Sequence, residues 1–143
     1  MLLTDGANSE LVKSNKSAIE NEGATVKIIA PKIGGVSLSD KIKFEFDGQL
    51  AVMPSVLFDA VVLVLSDKGC QDLMKDSAAI DFVSHAFVHL KVIGMTAAAQ
   101  PLLDKAGVIA DGSIIDISQG VSDFIKSAAS QQWDREPKVR PVP

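Results

Sequence analysis

One cysteine and two histidines, with a single threonine at a strand-to-helix junction, are the side chains here best suited to chemistry. Cys70 lies in Ser66-Asp67-Lys68-Gly69-Cys70-Gln71. The spacing predicts that it starts a short helical turn, where a helix N-terminus lowers a thiol pKa and makes the sulfur nucleophilic. No histidine neighbours it in sequence, and a small, half-buried residue is the plainer reading. Thr96 lies in Gly94-Met95-Thr96-Ala97-Ala98-Ala99, the kind of sharp junction where many hydrolytic α/β enzymes hold a nucleophile on a strained elbow. A threonine there needs an adjacent base. His85 and His89 sit four apart on one predicted helix, a spacing that can hold a metal. No further carboxylate or cysteine stands at matching spacing, so two surface or half-buried histidines are the simpler expectation. Asp5-Gly6-Ala7-Asn8 could place a carboxylate in a loop, but Asp-Gly and Asn are also ordinary turn and cap chemistry. Gly34-Gly35 follows a strand, yet no G-x-G-x-x-G opens a helix and no P-loop lysine follows one. Dinucleotide and phosphate binding are therefore rejected.

These candidates need a scaffold, and the composition bounds it. A chain of 143 residues, 47% hydrophobic and 22% charged, is one domain able to bury roughly 68–70% of its unfolded surface. The net charge is −4, from 14 Lys and Arg against 18 Asp and Glu, which speaks against a nucleic-acid footprint. No apolar run reaches the length of a membrane-spanning helix. The N-terminus lacks the basic start and apolar stretch of a signal peptide, and no compartment follows. The lone cysteine excludes an internal disulfide and a cysteine zinc cluster.

Strand and helix alternate along the chain. Met1-Leu2-Leu3-Thr4 is a short apolar strand stopped by Asp5-Gly6. A helix follows from about Ser9 to Glu22, capped by Asn8 or Ser9 and ended by Gly23. Thr25 to Ala30 is β-rich and closed by Pro31. Val36-Ser37-Leu38 and the alternating Ile42, Phe44 and Phe46 flank a turn and predict a small hairpin. Ala60 to Leu65 is continuously apolar, as expected of a parallel strand buried on both faces. Ser77 to Leu90 is an amphipathic helix. Val92 to Met95 is a second buried strand running into a helix from Ala97 to Lys105. Val108-Ile109 and Ile114 to Ile117 flank the turn Asp111-Gly112, and Val121 to Gln132 is the last helix. Residues 133–143 carry three prolines and are expected to extend along a partner surface. Residues 1–132 are thus expected to form an α/β, flavodoxin-like three-layer sandwich: a central, mostly parallel sheet with a small added hairpin. The first strand starts at residue 1 with almost no lead-in, and the chain looks cut from something longer.

Phe58-Asp59-Ala60-Val61-Val62-Leu63, Gly69-Cys70-Gln71-Asp72-Leu73 and Leu90-Lys91-Val92-Ile93-Gly94 with the Ala-rich helix resemble the class I glutamine-amidotransferase-like superfamily. The resemblance extends to its PfpI-type proteases and to related deglycase and chaperone proteins. It implies an elbow cysteine, a histidine partner, a glutamate after the first strand and a glycine pair after the third. This chain departs at each position. The elbow is Thr96, the glycine pair falls on Leu65 and Ser66, and the glutamate position falls near Leu11, with Glu10 beside it. The histidine segment is shortened to Lys105-Ala106-Gly107-Val108-Ile109, and Cys70 matches a non-catalytic position. The implied site is vestigial.

A narrower resemblance accounts for the losses. Leu2 to Ala7, Ile29-Ala30-Pro31-Lys32, Val36 to Asp40, Pro54 to Val61 and Trp133 to Val139 are similar to the C-terminal domain of large-subunit haem catalases. That family implies a homotetrameric parent that disproportionates hydrogen peroxide, with this domain following the catalytic core. Catalase haem is held by a tyrosine, and this chain contains none, so no haem and no catalysis are expected in this segment alone. The implied roles are subunit stability, assembly against the core and neighbouring subunits, and chaperone-like protection of unfolded clients. Apolar surface left on Met1 to Thr4, on Ile42-Phe44-Phe46 and on the tail would serve the last. The alternatives are a residual hydrolase or deglycase-like enzyme using Cys70 or Thr96, and a redox sensor with Cys70 as its oxidisable group.

Overall fold

The computed structural model describes residues 1–128. Thirteen elements follow one another: β1 (Leu2–Leu3), α1 (Ser9–Asn21), β2 (Ile29–Ala30), β3 (Val36–Ser37), β4 (Lys43–Phe44), β5 (Gly48–Gln49), β6 (Ala60–Val64), α2 (Asp67–Leu73), α3 (Ser77–Val88), β7 (Val92–Met95), α4 (Gln100–Lys105), β8 (Ile114–Asp116) and α5 (Ser122–Ala128). Six strands form one sheet in the order β5-β2-β1-β6-β7-β8, and every pairing within it is parallel. β3 and β4 pair antiparallel as a separate hairpin, Val36 opposite Phe44 and Ser37 opposite Lys43. This is the expected flavodoxin-like sandwich.

The central strands explain why it forms. β6 and β7 are apolar at successive positions because both sides of the sheet are covered. Leu63, Ile93 and Met95 point into one core with Phe82, Val83, Leu102 and Leu103 of α3 and α4. Val62, Val64 and Val92 point into the other with Val12 of α1, Phe124 of α5 and Val36 of the hairpin. Each fully buried branched side chain contributes about 1.5–3 kcal/mol. β7 lets α5 approach closely at Gly94, where a Cβ would stand 3.0 Å from the Phe124 ring.

Several boundaries differ from the sequence expectation. The β-rich run from Thr25 pairs only at Ile29–Ala30, because its neighbour β1 is two residues long. β5 has no apolar signature; it is a strand because it pairs with β2, Ile29 opposite Gly48. α3 stops at Val88, with His89 as its C-cap and Leu90 at φ +64°. The stretch after β7 begins as a 3-10 turn, Ala97–Ala99. α4 then starts at Gln100, with Pro101 in the first turn, where its missing N–H costs nothing. Val108-Ile109 forms no strand. Met1 to Thr4, expected to leave apolar surface, is buried. Of the Ile42-Phe44-Phe46 face only Phe44 packs onto the core; Ile42 and Phe46 are exposed. Residues 129–132 of the expected last helix and the tail 133–143 lie outside the described residues.

Candidate functional site

In a doubly wound sheet a ligand crevice opens beyond the carboxyl ends of the strands, where the strand order reverses. Here that point lies between β1 and β6, and Thr4, Ser66 and Gly69 occupy it. The Ser66 amide donates to Thr4 Oγ1 at 3.0 Å, and the two hydroxyl oxygens are 3.4 Å apart. Ser66 Oγ donates to the Asp5 carbonyl at 2.6 Å and accepts from the Gly69 amide at 3.0 Å, capping α2. Gly69 is there for space: a Cβ on it would lie 2.1 Å from Thr4 Oγ1. These side chains latch the crevice with bonds to one another.

The loop after β1 is committed in the same way. Asp5 Oδ1 accepts from the Ser37 amide at 2.9 Å, and the Gly6 amide donates to the Ser37 carbonyl at 2.8 Å. Asn8 caps α1 by accepting from the Leu11 amide at 3.1 Å. The carboxylate holds the hairpin, and the asparagine is the cap. Leu65 is buried, Leu11 packs against the core, and Glu10 is exposed in the first turn of α1.

Thr96 stands at the end of β7 with φ −102° and ψ 160°. That is ordinary extended backbone, so the strained elbow expected of this junction is not formed. The residue is 8% exposed, and its hydroxyl has no hydrogen-bond partner. An unpartnered buried hydroxyl costs about 1–3 kcal/mol, and among the described residues no base is hydrogen-bonded to it.

Cys70 was expected at a helix start with a lowered pKa; both points are corrected. It is the fourth residue of α2, 1% exposed, and part of the core formed with Leu73, Phe82 and Leu102. Burial pushes its thiol pKa up; the Leu102 amide partly offsets this and Asp67 adds to the rise. The neutral thiol is therefore the favoured form. His85 and His89 share a face of α3, ring centroids 6.1 Å apart. His85 is exposed and His89 half-buried. Among the described residues no group of three or more His, Cys, Asp or Glu could hold a metal.

Gly34-Gly35 opens no helix. It borders an open hollow of about 330 Å³ lined by Val36, Lys43, Phe44, Glu45 and Phe46. This hollow lies on the hairpin, away from Thr96 and Cys70. Sequence reasoning missed the latch itself; its signal was two hydroxyl residues, Thr4 and Ser66, each closing an apolar strand. It also missed Lys91, whose ammonium donates to the carbonyls of Ser55 at 3.2 Å, Val56 at 3.0 Å and Phe58.

Residues 1–135 match the family model described as the C-terminal domain found in long catalases. The chain belongs to that family. It is 39% identical over 145 residues to Catalase C of Rhizobium meliloti (strain 1021), covering 98% of this chain and 21% of that protein. It is 34% identical over 109 residues to Catalase HPII of Mycobacterium avium, covering 76% of this chain and 15% of that protein. The catalase domain therefore spans about a fifth of the length of the curated relatives it matches. Its fold is shared with Drosophila melanogaster DJ-1beta, at TM-score 0.70, 18% identity and coverage of 96% and 92% of the two chains. Schizosaccharomyces pombe DJ-1 gives TM-score 0.66, 12% identity and coverage of 99% and 98%. Against the haem of catalases the residues present do not fit. The chain has no tyrosine to act as the catalase axial ligand, and its two histidines lie in the last turn of α3 and at its C-cap. Among the described residues no helix is long and apolar enough to cross a membrane.

Proposed function

We propose that this catalase C-terminal domain is a non-catalytic module. In this reading it supports the stability and assembly of a haem catalase subunit whose core, earlier in a longer chain, binds the haem and disproportionates hydrogen peroxide. The observation that carries the proposal is the latch of Thr4, Ser66 and Gly69 in the crevice where relatives of this fold would admit a ligand. A domain whose crevice hydroxyls are taken up by bonds to one another contributes structure rather than chemistry. The partners in this reading are the core of the same chain and neighbouring subunits of a homotetramer.

Two experiments test it. The 143-residue chain, given hydrogen peroxide, an activated ester and methylglyoxal in turn, is expected to turn over none of them. Turnover lost on Thr96→Ala or Cys70→Ser would replace this proposal with the residual-enzyme reading. For the stabilising role, Catalase C carrying this chain in place of its own matching residues is compared with Catalase C truncated there. The truncated form is expected to lose peroxide activity faster on heating, and equal half-lives would remove that role. The redox-sensor reading is opposed by the burial of Cys70; its test is mass spectrometry of the folded chain after mild peroxide, where an unmodified Cys70 is expected.

A second reading, protection of unfolded client chains, has the exposed Ile33 and Ile42 of the hairpin region in its favour. If the isolated chain does not slow heat aggregation of a client enzyme at stoichiometric ratios, that reading is lost.

A further inference from the structure

The connections entering β6, β7 and β8 all lie at one end of the sheet, because the strands are parallel. Connections at a free surface normally carry polar side chains. Here Val56 is 54% exposed, Leu57 63% and Ile109 55%, and Val88, the last residue of α3, is 36% exposed. The turn holding the first two is fixed rather than loose. Lys91, just before β7, donates to the backbone carbonyls of Ser55, Val56 and Phe58. Those carbonyls are already satisfied and lose no hydrogen bonds if the turn is covered. Apolar side chains over satisfied backbone are what the core of a protein interface needs.

What covers this end follows from the relatives. The family is described as the C-terminal domain of long catalases, and the chain matches only 21% of Catalase C, so most of such a protein precedes the domain. Met1 enters β1 at this same end of the sheet, its amino group bonded to the Lys27 carbonyl at 2.8 Å. We infer that the strand-entry end, centred on Val56 and Leu57 with Val88 and Ile109 beside them, is the surface on which this domain docks against the preceding catalase core of its own chain. The inference rests on the reading of the chain as the tail module of a longer catalase.

The test is hydrogen exchange on Catalase C carrying this chain in place of its own matching residues, compared with the 143-residue chain alone. Exchange across Ser55–Phe58 and at Ile109 is expected to slow about tenfold or more in the fused protein. Leu57→Asp is expected to return it towards the rate of the isolated chain. Slowing confined to the hairpin around Ile33 and Ile42 would overturn this docking face while leaving the tail-module reading intact. Unchanged exchange over the whole domain would overturn both. If the fusion does not assemble, the same measurement on Catalase C itself, at the positions aligned with Ser55–Phe58, carries the same outcomes.

Discussion

At the carboxyl ends of β1 and β6, Thr4 and Ser66 bond to each other and close over Gly69; at the opposite ends, Val56, Leu57 and Ile109 stand in solvent. The first end has spent its polar groups on itself. The second has bonded the carbonyls of Ser55, Val56 and Phe58 to Lys91 and leaves Val56, Leu57 and Ile109 exposed. Folds of this kind take ligands at the first end, so the contrast is between an end whose hydroxyls bond to one another and an end whose apolar side chains face solvent.

At the latch, Gly69→Ala forces a Cβ into Thr4 and is expected to cost about 3 kcal/mol by urea unfolding. A cost near zero would mean that the crevice has room. Ser66→Ala removes the α2 cap and the bond to the Asp5 carbonyl, with an expected loss of about 1–2 kcal/mol. The smallest effect sharpens the comparison from the other side. Leu57→Asp should change the stability of the isolated chain by less than about 0.5 kcal/mol, since its side chain is largely exposed. A larger loss would show that Leu57 serves the domain's own core.

Much of the scaffold was legible because burial on both faces leaves a plain mark. Ala60 to Val64 and Val92 to Met95 read as central strands and are central strands. The hairpin was legible from the alternation at Ile42, Phe44 and Phe46, although only Phe44 of the three reaches the core. β5 was not legible, since Gly48–Gln49 has neither side-chain pattern nor β-propensity and exists through its pairing with β2. Cys70 was legible as part of a helical segment but not as a core residue. The sequence places it near a helix start, and only the packing of Phe82 and Leu102 around it shows that burial outweighs the helix terminus.

By itself the sequence determined the layered α/β class, the helix cap at Asn8 and the absence of a tyrosine to hold haem, because each depends on local pattern or on composition. The tertiary structure decided that Thr4 meets Ser66, 62 positions away, that Thr96 has no partner for its hydroxyl, and that Lys91 holds the turn carrying Val56 and Leu57. These depend on which strand ends become neighbours in the sheet, and strand order is a property of the whole folded chain that no local stretch encodes.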